Sequence, residues 1–167
     1  GQILARVARD AQRPFVVETR DGTATALGTA YTVRRDEHGT IVTVLESTVR
    51  ACPAKAQNQC VDLDPGDRIR MRADRLERLG RIDPEAAGMW AEGWLAADDQ
   101  PVAAVLLELN RYRQQPVQFE ADDLDGIRVS GSFPLRDPDR AVEGIVQSTK
   151  LKMVRSEDGT VLVRRQK

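Results

Sequence analysis

The spacing of apolar residues changes period once along this chain, and that change limits what it can fold into. From Phe15 to Met71, apolar and β-branched residues alternate with polar ones, the period of half-buried strands. From Pro101 onward, Val102, Val105, Leu106, Leu109 and Tyr112 fall at helical spacing instead. One helix-plus-sheet layer cannot satisfy both patterns, so the sequence predicts an α+β chain of two lobes. The first is an all-β antiparallel meander over residues 1–75, and residues 94–167 form a small βαββαββ lobe. Residues 76–93, where the alternation breaks around Pro84, read as a linker with a short helix held down by Trp90 and Trp94.

Within the first lobe, Phe15-Val16-Val17-Glu18-Thr19 runs into an Asp21-Gly22 turn, and Ala24 to Val33 returns through Gly28-Thr29. Thr40 to Leu45, Thr48 to Cys52, Cys60 to Leu63 and Arg68 to Arg72 are further strands, the last two joined at Pro65-Gly66.

In the second lobe, Asp98 or Asp99 is available to cap a helix with Pro101 at an early position. Val117 to Glu120 reads as a strand, Asp122-Asp123-Leu124-Asp125-Gly126 as a loop, and Ile127 to Phe133 as a strand. A second helix starts at Asp137 and Pro138 and buries Ala141, Val142, Ile145 and Val146. Leu151 to Arg155 and Thr160 to Arg164 form a hairpin through Ser156-Glu157-Asp158-Gly159.

Charge argues against a nucleic-acid ligand. The 25 basic residues are offset by 26 acidic ones, both halves are close to neutral, and seven aromatics supply few stacking platforms. No apolar run reaches the roughly 18 residues of a membrane span, and no signal peptide opens the chain, so no direct membrane contact is expected. A start at Gly1 rather than Met reads as a fragment of a longer protein.

Nor is there a recognisable catalytic constellation, and the sequence implies no cofactor and no enzyme. His38, the single histidine, sits beside Gly39 in a hairpin turn, without a nucleophile or an orienting group at hand. The Asp98-Asp99 and Asp122-Asp123 doublets fit a helix start and a polar loop better than an acid/base pair. No Gly-rich phosphate loop opens a helix. Asn110-Arg111-Tyr112 is the most distinctive polar cluster, and reads as a helix C-terminus with Arg111 on the dipole and the Tyr112 ring on the sheet.

Cys52 and Cys60 flank a polar loop between two strands. The spacing suits a local disulfide, which would place the chain in an oxidising compartment such as the bacterial periplasm. The alternatives are two reduced thiols, or a zinc site with only His38 to add.

The residues also carry a family resemblance. Arg13-Pro14-Phe15-Val16-Val17 with Ala26-Leu27-Gly28-Thr29-Ala30-Tyr31-Thr32-Val33 resembles the "RPF.V … A.GT.F.V" core of FecR-type anti-sigma regulators. Thr43-Val44-Leu45-Glu46-Ser47-Thr48-Val49 is similar to their "V.VLEG.V" strand, with Ser47 standing where they have Gly, and Leu63-Asp64-Pro65-Gly66-Asp67 is similar to "L.PGQ". Trp90 to Leu95, Leu106 to Tyr112 and Val129-Ser130-Gly131-Ser132-Phe133 resemble "W..G.L", "ELNRY" and "VSG.F". The Cys52–Cys60 loop departs from the pattern as a local insertion.

The resemblance implies a periplasmic region of a single-pass inner-membrane protein, with a first lobe truncated at its start and its edge left unpaired. Its second lobe would be similar to the secretin and TonB short N-terminal fold. The implied partners are the periplasmic signalling domain of a TonB-dependent outer-membrane transducer and the periplasmic and intramembrane proteases of a relay that reports ferric siderophore. A sigma factor would be reached only through a cytoplasmic segment absent here. A structural envelope module is the alternative.

Val117 to Glu120, Leu151 to Arg155 and Thr160 to Arg164 are expected to share one sheet with a free outer strand, placed near Thr160 to Arg164. The expected contacts are Arg155, Val161, Leu162, Val163, Arg164 and Arg165, with Ile127 and Val129 on a second face.

Overall fold

The structure is a computed structural model that describes residues 1–8, 10, 12–26, 28–156 and 160–166. It divides into two compact units, Gly1–Gly88 and Met89–Lys167.

The first unit holds two antiparallel sheets around one core. One runs in the order β1 (Gln2–Arg6), β4 (Ala30–Asp36), β5 (Gly39–Glu46), β8 (Asp67–Arg72), β9 (Arg75–Arg81). The other runs β2 (Phe15–Thr19), β3 (Gly22–Ala26), β6 (Val49–Pro53), β7 (Val61–Leu63). The expected meander is corrected by this order. The stretch from Ala24 to Val33 is two strands in different sheets, with Gly28 at φ 119 in the corner between them. A period-two pattern says which face of a strand is buried, but not which sheet the strand joins.

Small and large side chains face each other across that core. Ala24, Ala26 and Ala51 lie on the four-stranded side, opposite Tyr31, Val42, Val44, Ile69 and Met71. The alanines leave room for the Tyr31 ring, whose hydroxyl donates to the Ala24 carbonyl at 3.3 Å. Gly22 is required at its turn, because a Cβ there would stand 2.1 Å from the Cys52 carbonyl oxygen.

Residues 76–81, read from the sequence as the beginning of a linker, belong instead to β9 (Arg75–Arg81), paired with β8. Its alternation is hidden because it is an edge strand, and charged side chains blunt such an edge. The first unit continues through α1 (Pro84–Gly88) beside β5. Residues 2–6, which carry no strand signal of their own, pair with β4. The Asp64-Pro65-Gly66-Asp67 turn closes through Asp67 N–H donating to the Asp64 carbonyl at 2.9 Å, with Gly66 at φ 87. The Asp67 carboxylate then anchors Arg81 at 2.6 Å.

The second unit runs β10 (Trp94–Pro101), α2 (Val102–Asn110), α3 (Ala121–Leu124), β11 (Arg128–Pro134), α4 (Pro138–Ser148), β12 (Leu151–Arg155), β13 (Val161–Arg165). Strands β10 and β11 form one antiparallel ribbon, β12 and β13 another. Helix α2 buries Val102, Val105, Leu106 and Leu109, and α4 buries Ala141, Val142 and Ile145. Both stripes pack in one core with Leu151, Val161 and Val163. Asp137 caps α4 as expected, accepting from the Arg140 N–H at 3.1 Å.

Three local readings are corrected. Asp98 and Asp99 do not cap α2: they sit where the β10–β11 register shifts, with Asp99 at φ 43 and its N–H donating to Ser130 Oγ at 2.9 Å. Residues 121–124 of the acidic run form the short α3 rather than a loop. Tyr112 lies beyond α2 and is 37 % exposed, with the Arg111 guanidinium 6.0 Å from its ring centre. The expected hairpin turn at 157–159 lies outside the described residues, as does Leu27 of the first-lobe motif. No helix among the described residues is long and apolar enough to cross a membrane.

Candidate protein-docking surface

A third strand-like segment completes the β12–β13 ribbon. Gln118 bridges Leu162 in parallel, its N–H donating to the Val161 carbonyl at 2.8 Å and its carbonyl accepting from Val163 N–H at 2.9 Å. Asn110 holds this segment in place. Its amide Nδ2 donates to the Val117 carbonyl and its Oδ1 accepts from the Val117 N–H, both at 2.9 Å. The side chain thus acts as a one-residue strand partner at the end of α2, a role that its position at a helix terminus does not reveal.

Strand β13 therefore lies in the middle of the sheet, between the Gln118 segment and β12. The free edge expected near Thr160 to Arg164 belongs instead to β12. The register pairs Lys152 with Arg164, Met153 with Val163, Val154 with Leu162 and Arg155 with Val161. Because Val163 N–H faces Gln118, the hydrogen-bonded pairs with β12 are Lys152–Arg164 and Val154–Leu162. The backbone groups of Met153 and Arg155 consequently point away from β13, along an edge that no other strand covers among the described residues.

Side chains alternate across this edge. Leu151 is buried and Met153 packs on the core, so Lys152 and Val154 face outward beside Arg164 and Leu162. Lys152 and Arg164 stand directly opposite each other, a like-charge pair that lowers stability. Among the described residues, no ion pair involves Lys152, Arg155 or Arg164.

The remaining site residues divide between core and surface. Val161 and Val163 are buried and present only backbone to the sheet, whereas Leu162 is half-buried and Arg155, Arg164 and Arg165 are exposed. Arg165 is already committed, donating to the carbonyls of Asp123 at 3.3 Å and Asp125 at 2.6 Å. On the second face, Val129 is buried, while Ile127 packs half-buried against the core and keeps part of its side chain exposed.

Beside the end of β12 lies a cleft of about 550 Å³, lined by Tyr112, Arg113, Gln115, Asp139, Arg155 and Val161. Arg113 is spent inside it, bonded to the Asp139 carboxylate and, through Nε, to the Gln115 carbonyl at 3.0 Å. Of the charged residues described in this lining, Arg155 is the one in no ion pair among the described residues. Sequence reasoning passed over Lys152, Met153 and Val154, although the hairpin register alone sets two cations opposite each other.

Elsewhere the chemistry is sparse. His38 is exposed in its turn, its Nε2 3.4 Å from the Glu37 carboxylate. No group of three or more His, Cys, Asp or Glu able to hold a metal occurs among the described residues. Cys52 and Cys60 are joined in a disulfide in the first unit, at the ends of the loop between β6 and β7.

The fold and this surface define a class of protein: an α+β module with a two-sheet β unit and a helix-and-sheet unit whose β12 edge carries no further strand among the described residues. Its first part is FecR-like in sequence, since the FecR protein family model matches residues 1–50. Two crystal structures of a proposed anti-sigma factor from Parabacteroides distasonis ATCC 8503 share the fold. They superpose with TM-scores of 0.73 and 0.74 at 19% identity, over 100% of this chain and 78% of theirs. No curated protein sequence matches the chain.

Proposed function

We propose that this chain is the periplasmic sensor part of a single-pass inner-membrane anti-sigma regulator. It receives the periplasmic signalling domain of a TonB-dependent outer-membrane transducer. Occupancy of that transducer, by ferric siderophore or a similar cargo, is passed on by contact. Stepwise cutting by periplasmic and intramembrane proteases then frees a cytoplasmic segment that binds an extracytoplasmic-function sigma factor.

One observation carries this reading: an open β12 edge in a chain whose first 50 residues match FecR. The coarser regulator role has support from the family match and from the fold shared with the proposed anti-sigma factor. The second unit has α2 and α4 on one core with two small sheets, an arrangement in keeping with the secretin and TonB short N-terminal fold. The Cys52–Cys60 disulfide suits an oxidising compartment.

Calorimetric titration of the chain with the purified periplasmic signalling domain of a TonB-dependent transducer from the same organism tests the reading. Saturable one-to-one binding is expected. No heat with any such domain the organism encodes would overturn it.

A further inference from the structure

The open edge of β12 carries a pattern that specifies the strand able to join it. We infer that β12 accepts an extended strand with acidic, apolar, apolar and acidic residues in succession. The inference rests on the proposed docking function for its biological partner, and on β12 alone for its chemistry.

Four consecutive positions set the pattern. A strand added outside β12 bonds to the backbone groups of Met153 and Arg155, and places one residue opposite each of Lys152, Met153, Val154 and Arg155. Outward, its first residue meets Lys152, behind which stands Arg164, and neither cation is in an ion pair among the described residues. A carboxylate there relieves the like-charge pair as well as binding to it. Inward, the next residue lies over Met153, half-buried at the margin of the second unit's core, and an apolar side chain extends that core.

The third residue faces outward beside Val154 and Leu162, a half-buried aliphatic pair. The fourth meets Arg155, exposed at the mouth of the cleft and without an ion-pair partner among the described residues. The pattern reads the same in both directions. It therefore holds for a parallel or an antiparallel partner strand, and only the hydrogen-bond spacing differs between them.

Two charge pairs at a solvated strand edge contribute little individually, so the selectivity comes from attraction in the matched strand against repulsion in a mismatched one. About a tenfold preference is expected for an acidic strand over the same strand with lysines, falling as salt is raised.

The experiment uses the full 167-residue chain and two designed β-hairpin peptides that carry Glu-Val-Val-Glu or Lys-Val-Val-Lys on one strand. Backbone amide shifts are followed by NMR during titration. The expected result is a roughly tenfold tighter affinity for the glutamate hairpin, with the largest shifts at the Met153 and Arg155 amides. The Lys152→Glu/Arg155→Glu variant, checked for an intact fold by circular dichroism, should invert the preference. Equal affinity for the two hairpins, no binding by either, or shifts centred on another element would overturn the inference. Hairpin selectivity without binding of any transducer domain would instead count against the proposed function and leave the edge chemistry standing.

Discussion

Asn110 and Val117 exchange two hydrogen bonds of 2.9 Å, side-chain amide to backbone amide, across the turn that follows α2. The pair fixes the segment whose next residue, Gln118, closes one side of β13. Replacing Asn110 by Ala removes both bonds and leaves the Val117 N–H and carbonyl without them, beside a side chain that is buried. A loss of about 2 kcal/mol is expected in urea unfolding of the second unit, with faster hydrogen exchange at Val117 and Val163.

Ser47 adopts φ 58 between β5 and β6, at the position where the resembling family has glycine. An L-residue in that region costs about 1–2 kcal/mol, while glycine adds about 0.5–1 kcal/mol of unfolded-state entropy. Ser47→Gly is therefore expected to stabilise the first unit by roughly 0.5–1 kcal/mol, read as a higher urea midpoint at unchanged slope.

The Cys52–Cys60 bond closes a short loop between β6 and β7. Its removal in a Cys52→Ala/Cys60→Ala variant should cost about 2.5 kcal/mol on the chain-entropy account. Reducing the native chain should reproduce the loss, and the variant should be indifferent to reductant. Equal stability of the two chains under oxidising conditions would contradict the expectation.

Burial pushes the Tyr31 phenol up to about 12 from an ordinary value of 10.0. Because the folded value lies above the unfolded one, the neutral ring's contribution is complete below about pH 10 and is lost as pH rises through 12. Phenolate absorbance near 295 nm should therefore contain a component with a midpoint near 12, and unfolding should begin in the same window. In Tyr31→Phe that component should vanish.

Much of this architecture was legible because local chemistry decided it. Asp137-Pro138 starts α4 where the cap and the fixed proline φ require, and the stripe Val102, Val105, Leu106, Leu109 faces the core as its spacing demands. The partition of strands between two sheets was not legible, since alternation in β3 and β4 is the same whether they pair or part. β9 was missed because an edge strand rich in arginine has the composition of a linker.

The docking edge was misplaced by one strand for a related reason. The hairpin of β12 and β13 is written in the sequence, but which member lies inside depends on the long-range bridge to Gln118. That bridge depends in turn on an amide pair that no periodicity encodes. Val161 and Val163, which look like exposed strand valines, are core residues for that reason.

The central place of β13 also sets the order in which the second unit can assemble. Helices α2 and α4 precede it in the chain, yet the sheet that covers them needs Val161 and Val163 to meet Gln118, a contact across most of the unit's length. During synthesis, the apolar stripes of both helices leave the ribosome before the strand that shields them, and closing so long a loop makes that step slow relative to helix formation. A second unit lacking β13 would leave the side of that core that Val161 and Val163 cover without them.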